Sequence, residues 1–206
     1  MLKYKNKTKY FFAYLFLFTS FSFSQEIETN DKEFKIEIIK VKKLKKIQIS
    51  TTTILDSDYL KTIFIKLKMT SIDNTKKEFD VNKFILLDTT NKLKIRALDV
   101  SYQKFTAYVG FSILTKKPHT FNEKHSILTY NTSIPDSFEK YNFEGFSTIE
   151  TPINFGTRRK PEPHVIYYEP EKYKSKKLIF HFPFPKEINQ GVLYYGNQKI
   201  ADLKFK

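Results

Sequence analysis

Apolar and polar residues alternate along much of this chain, and the alternation predicts strands. From Glu33 to Val41, Phe34, Ile36 and Ile38 share one face and Lys35 and Glu37 the other. That period of two marks a half-buried strand. Leu60–Ile72 repeats it, with Ile63, Ile65, Leu67 and Met69 opposite Lys66, Lys68 and Thr70. One face is then core and one is wet, as in an antiparallel sheet. Glu78–Val81, the run Phe84–Leu87, the alternating Leu93, Ile95 and Ala97, and Gln103–Leu114 continue the series, with turns expected at Asp73–Thr75 and Asp88–Lys92. Near the end, Lys177–Phe182 is expected to stop at Pro183, and Gly191–Tyr195 to pair with Lys199–Phe205. Gly196-Asn197 between them suits a two-residue hairpin turn with glycine at the first central position. No stretch keeps helical periodicity over three turns, and there is no internal repeat.

The pattern breaks in two places. Gln25–Lys32 is polar and is expected to be a loose tether. Thr115–Lys177 holds Pro118, Pro135, Pro152, Pro161, Pro163 and Pro170. Long central strands are excluded there, and irregular loops with short strands are expected. A connection of that length is where function often sits when it is ordered.

The first 24 residues have three parts: a basic stretch with Lys3, Lys5, Lys7 and Lys9, an apolar run Tyr10–Phe18, and a small-residue exit Ser22-Phe23-Ser24. They read as a cleaved secretory signal, with cleavage after Ser24. The run is shorter than the roughly 18 to 20 apolar residues that a membrane span needs. The expected organisation is a signal peptide over 1–24 and one domain over 25–206, carrying the insertion at about 115–177. The protein is expected to be exported, periplasmic or secreted, with no transmembrane span after cleavage.

Composition sharpens this. The 206 residues contain no cysteine, which excludes disulfides, thiolate metal sites, cysteine nucleophiles and a lipoprotein anchor. The formal charge is +14, or +10 without the four lysines of the first 24 residues. The basic residues are nearly all lysine, with arginine only at Arg96, Arg158 and Arg159. Nucleic-acid recognition leans on the planar arginine fork, and export argues against it too, so no nucleic-acid partner is expected. The densest basic run, Lys40–Ile47, has two readings: a grip on an anionic polymer or membrane surface, or lysines that stop sheets from joining edge to edge. The second is preferred.

Two stretches resemble the exported bacterial immunoglobulin-like sandwich domains of unknown function, a family similar in fold to the telokin-like and immunoprotective extracellular proteins. The first is Leu60–Ala97, with Asn74 and then Phe84-x-Leu86-Leu87-Asp88 and a turn. The second is Leu178-Ile-Phe180-x-Phe-Pro183 followed by Gly191-Val-Leu193-x-Tyr195. Together they cover about a third of the chain. The turn after Asp88 lacks the family's glycine, and the Thr115–Lys177 connection is longer than usual. The resemblance implies an all-β, antiparallel immunoglobulin-like β-sandwich of about seven to nine strands. It implies no catalytic residues.

Candidate chemistry is sparse. His119 and His125, with Glu123 between them, match no zinc spacing, and no metal or cofactor is expected. His181, between Phe180 and Phe182, is expected to face away from the core, toward solvent. Gly145-Phe-Ser147 lacks the second glycine of a nucleophile elbow. The insertion mixes aromatics with Arg158-Arg159-Lys160, a composition able to stack on sugars or to grip an anionic polymer. Tyr141, Phe143, Arg158, Arg159, Tyr167 and Tyr168 are the candidate ligand contacts. The alternative, which is preferred, is that the rings pin a glycine-poor loop onto the domain as a satellite core. A non-catalytic binding or accessory module of the cell envelope, monomeric and contacting an envelope protein or an anionic glycan, is therefore expected over a hydrolase. A hydrolase calls for a buried, perturbed carboxylate or histidine in the 115–177 loops.

Overall fold

The computed structural model describes residues 26–44, 47–49, 52–55, 59–104, 107–110, 115–118, 120–122, 127–129, 136–151, 153–154, 157, 159–160 and 163–205. The expected signal segment 1–24, His119, His125 and Arg158 lie outside them. The described part is mostly strands in antiparallel sheets, with almost no helix.

Eleven strands make the two large sheets. β1 (Glu26–Glu28), β2 (Phe34–Leu44), β3 (Leu60–Ser71), β6 (Asp99–Lys104), β7 (Ala107–Gly110) and β9 (Ser175–Pro185) form the first. β4 (Phe84–Asp88), β5 (Leu93–Arg96), β8 (Ser147–Ile149), β10 (Gln190–Tyr195) and β11 (Gln198–Lys204) form the second. The strand order is β1-β2-β3-β9-β6-β7 in one and β8-β5-β4-β10-β11 in the other, with only β8–β5 parallel. The inner faces share one hydrophobic core: Phe34, Ile36, Ile65, Leu67 and Phe180 from the first sheet meet Phe84, Leu86, Leu193, Tyr195 and Leu203 from the second. Ring contacts join the two directly, with centroids 4.7 Å apart for Phe84–Phe180 and 5.0 Å for Phe184–Phe205.

The alternation placed the core correctly in β3, where Ile63, Ile65, Leu67 and Met69 are all fully buried. The turns also form as expected. Asp88 accepts from the backbone N–H of Thr90 and Asn91, and Gly196, at φ +60°, starts the hairpin whose ends pair Tyr195 with Gln198.

Gln103–Leu114 is not one strand, since β6 ends at Lys104 and pairs antiparallel with β7 from Ala107, and three more expectations need correction. The tether starts as a strand: β1 pairs with Lys35–Glu37 of β2, and its glutamates cover Lys35. β9 does not stop at Pro183 but runs to Pro185, paired throughout with β3. The physical reason lies in which way the backbone groups point. The His181 carbonyl accepts from Leu98 N, so odd positions of β9 aim their backbone groups at the β6 side. The β6 ladder ends at Asp99, so the missing N–H of Pro183 falls where no ladder partner stands. Third, β2 carries a β-bulge. Ile38 pairs with Leu67 and Lys40 with Lys66, leaving Ile39 as the extra residue. The bulge reverses the facing of the rest of β2, so Val41 turns inward and Lys40 and Lys42 turn outward.

Within the insertion, a short helix, α1 (Ser137–Lys140), is capped by Asp136, whose side chain accepts from Phe138 N. The segment from it to β8 lies on the outer face of the second sheet. There Phe138 joins Ile85 and Leu87 in a second apolar cluster, with Tyr141, Phe143, Phe146, Val192 and Tyr194 packed around it.

Candidate functional site

The aromatic candidates of the insertion pack against the sheets. Phe143 lies edge-on to Tyr194 at 4.9 Å, and Tyr141 covers the hairpin turn closely enough that a Cβ on Gly196 would stand 3.0 Å from its ring. Tyr168 is 2% exposed; its hydroxyl donates to the Leu98 carbonyl and accepts from Val100 N, and Asn82 holds its backbone at both N–H and C=O. Tyr167 is buried as well, and burial, aided by Asp80 and Asp136, pushes its phenol up to about 12. Arg159 is exposed. Four of the six candidates therefore pin the insertion to the sheets.

An ionic cluster fastens α1 to the same face. Arg96 is 6% exposed; its Nε donates to Glu150 at 2.6 Å and its guanidinium to Asp136 at 2.5 Å. Burial works against the charge on Arg96, but Asp136 and Glu150 outweigh it and raise its pKa. Lys94 donates to the carbonyls of Phe138 and Tyr141, and burial, with Arg96 nearby, lowers its pKa. The carboxylates of Asp136, Glu139 and Glu150 lie within 4.8 Å of one another, close enough to share a cation. Arg96 supplies the countercharge for two of them. Of the three, Asp136 and the Glu150 side chain are buried and Glu139 is exposed, and the Arg96 guanidinium holds the two buried ones.

His181 does turn away from the core, yet it is not open to solvent. Its Nδ1 stands 3.1 Å from the Asp99 carboxylate, its side chain is 14% exposed, and Phe64 meets the ring edge-on. Lys42 lies over the other ring of the pair, 4.7 Å from the Phe64 centroid. Register makes this one row across four strands: Lys42, Phe64, His181, Asp99.

The neighbouring rows on that outer face have a different character. Lys40 pairs with Lys66, and Lys68 pairs with Lys177 on one side and Glu37 on the other, with Lys66 and Lys68 two apart on β3. Lys35 at the margin is bridged to Glu26 and Glu28. Like charges placed opposite each other on adjacent strands destabilise a sheet. Four such lysines across three strands form a cationic strip, and its makers come from three distant parts of the chain. The local basic run announced Lys40 and Lys42 alone. Lys66 and Lys68 read simply as the wet face of a strand, and only the pairing brings Lys177 to them.

An open groove of about 460 Å³ lies between the turn at Glu187–Gln190 and Lys204–Phe205. Lys61 closes the core behind it, donating to the carbonyls of Lys186 and Ile188 and to Asn189. No helix among the described residues is long and apolar enough to cross a membrane.

No protein-family model, curated protein or solved structure matches the chain. The resemblance to the exported immunoglobulin-like domains thus rests on the two motif stretches alone.

Proposed function

We propose that this protein is an exported, immunoglobulin-like β-sandwich that works without catalysis as a binding module of the cell envelope, and that its contact surface is the outer lysine face of the first sheet. The observation that carries this reading is the strip Lys40, Lys66, Lys68 and Lys177: Lys40 opposite Lys66 and Lys177 opposite Lys68, four lysines with one carboxylate, Glu37, in register beside Lys68. Such an arrangement costs stability in the free protein and recovers it when an anionic partner arrives. Two sheets sharing one core, with the chain crossing between them at Ala97–Leu98, support the sandwich. The tripartite first 24 residues support export.

The loops remain part of the picture as a scaffold, because Tyr141, Phe143, Tyr167 and Tyr168 hold the insertion in place. The test combines two readouts on cells making the full chain. Sequencing the N-terminus of the envelope-fraction protein should give Gln25 first. Retention of that protein on an immobilised envelope extract should be released by salt, since exposed charge pairs are screened within about 8 Å at physiological ionic strength. An intact Met1 in the cytosolic fraction contradicts export, and salt-insensitive retention contradicts the lysine face.

A further inference from the structure

The cationic strip has a shape as well as a charge. It runs obliquely: Lys40 on β2, across to Lys66 on β3, along to Lys68, and across again to Lys177 on β9. With neighbouring strands about 4.8 Å apart and alternate residues about 6.7 Å apart, it reaches roughly 12 Å from end to end. Acids stand on both sides of it. In the row of Lys68 and Lys177, the next residues are Glu37 and then Glu26, and in the row beyond Lys66, Asp99 lies past Phe64 and His181.

We propose that this strip is a track for a linear polyanion, a chain of repeating anionic groups, and not a landing surface for a bilayer; the proposal rests on the binding reading above and narrows it. A flat bilayer laid on the face also covers Glu37 and the Lys35-bridged Glu26 and Glu28, an acidic margin that a chain crossing obliquely from Lys40 to Lys177 mostly leaves to one side. Along the oblique line a chain meets the four lysines in turn, with Glu37 at its edge opposite Lys68.

The residue type fits a polymer also. Lysine presents a compact charge on a flexible stem, with no fixed fork, so it accepts anions in any orientation and at variable spacing. Compact, geometrically fixed anions favour arginine instead. On the strip's flank the rings are turned into structure: Phe64 is 9% exposed and packed between Lys42 and His181. The polymer's charges, not the faces of its sugars, are therefore what the surface reads.

The test is titration of the purified protein with polyphosphate and poly-glutamate, each as long and as very short chains, and with vesicles containing anionic lipid, all at matched anionic charge. The proposal expects long chains of either kind to bind at least tenfold tighter than short ones, and tighter than vesicles. Lys66→Gln with Lys68→Gln should weaken long-chain binding tenfold or more and flatten its salt dependence, while Lys204→Gln on the second sheet should not. Lys40→Gln with Lys177→Gln, at exposed positions, repeats the test with little risk to folding. Vesicles outbinding the chains, or no dependence on chain length, overturns the track and leaves the binding module standing. Failure of chains and vesicles alike overturns both.

Discussion

At the scale of single residues, the insertion is held by a few buried polar side chains. Arg96 is the centre, because Asp136, the cap of α1, and Glu150, beside β8, both end on its guanidinium. Removing it leaves two buried carboxylates without a countercharge, so Arg96→Ala should cost about 3–5 kcal/mol in urea unfolding. Adding Asp136→Asn and Glu150→Gln should return much of that loss; a loss unchanged by them would mean the pair energy is not its source. The tyrosines set a different dependence. Tyr167, raised to about 12, keeps its proton in the folded protein at pH values where the unfolded chain, near 10, has lost it. Burial raises Tyr168 and Tyr195 in the same direction. The folded state then binds more protons, so their contribution is complete below about pH 10 and declines as pH rises toward about 12. Urea midpoints measured through that window should fall, and Tyr167→Phe should make the fall shallower. Composition could place these aromatics in a satellite core, but Arg96 stood out in the sequence only as a rare arginine. Its partners lie 40 and 54 residues on, beyond the reach of any local pattern.

At the scale of elements, the informative departure is the bulge in β2. Strict alternation from Phe34 would send Lys40 and Lys42 into the core. The doubled apolar pair Ile38-Ile39 is the signal that the period slips, and Ile39 is the residue left over, 41% exposed. Deleting Ile39 keeps every other side chain on its present face, so that variant should fold, with a melting temperature near that of the parent. Deleting Ile65 from β3 reverses the facing of one half of the strand and should abolish the cooperative transition. A folded Ile65 deletion would show that register is not set by the shared core. The turn of the final hairpin was legible, because Gly196 at positive φ is what a two-residue turn needs there, but the register shift between Leu193 and Tyr194 that skips Ile200 was not. Gly196→Ala should cost about 1–3 kcal/mol from that backbone conformation, with the Tyr141 ring adding to it. The reach of β9 past Pro183 was hidden, since it depends on which neighbour the proline faces.

At the scale of the whole molecule, the two sheets divide the work. The outer face of the second is covered by α1 and the aromatics that follow it, while half of the outer face of the first carries the lysine strip. Alternation announced the all-β architecture and the wet face of β3, because each is a property of consecutive residues. The strip joins positions 40, 66, 68 and 177, and a surface assembled by cross-strand register has no signature in any one segment. Net charge pointed to lysine without saying where it gathers. The most direct test of the lysine strip is footprinting: acetylate the purified protein with and without long polyphosphate and follow each lysine by mass spectrometry. A polyanion track predicts protection at Lys40, Lys66, Lys68 and Lys177, with Lys92, Lys199 and Lys204 reacting as before. Protection spread evenly over all lysines, or gathered on the second sheet, would contradict it.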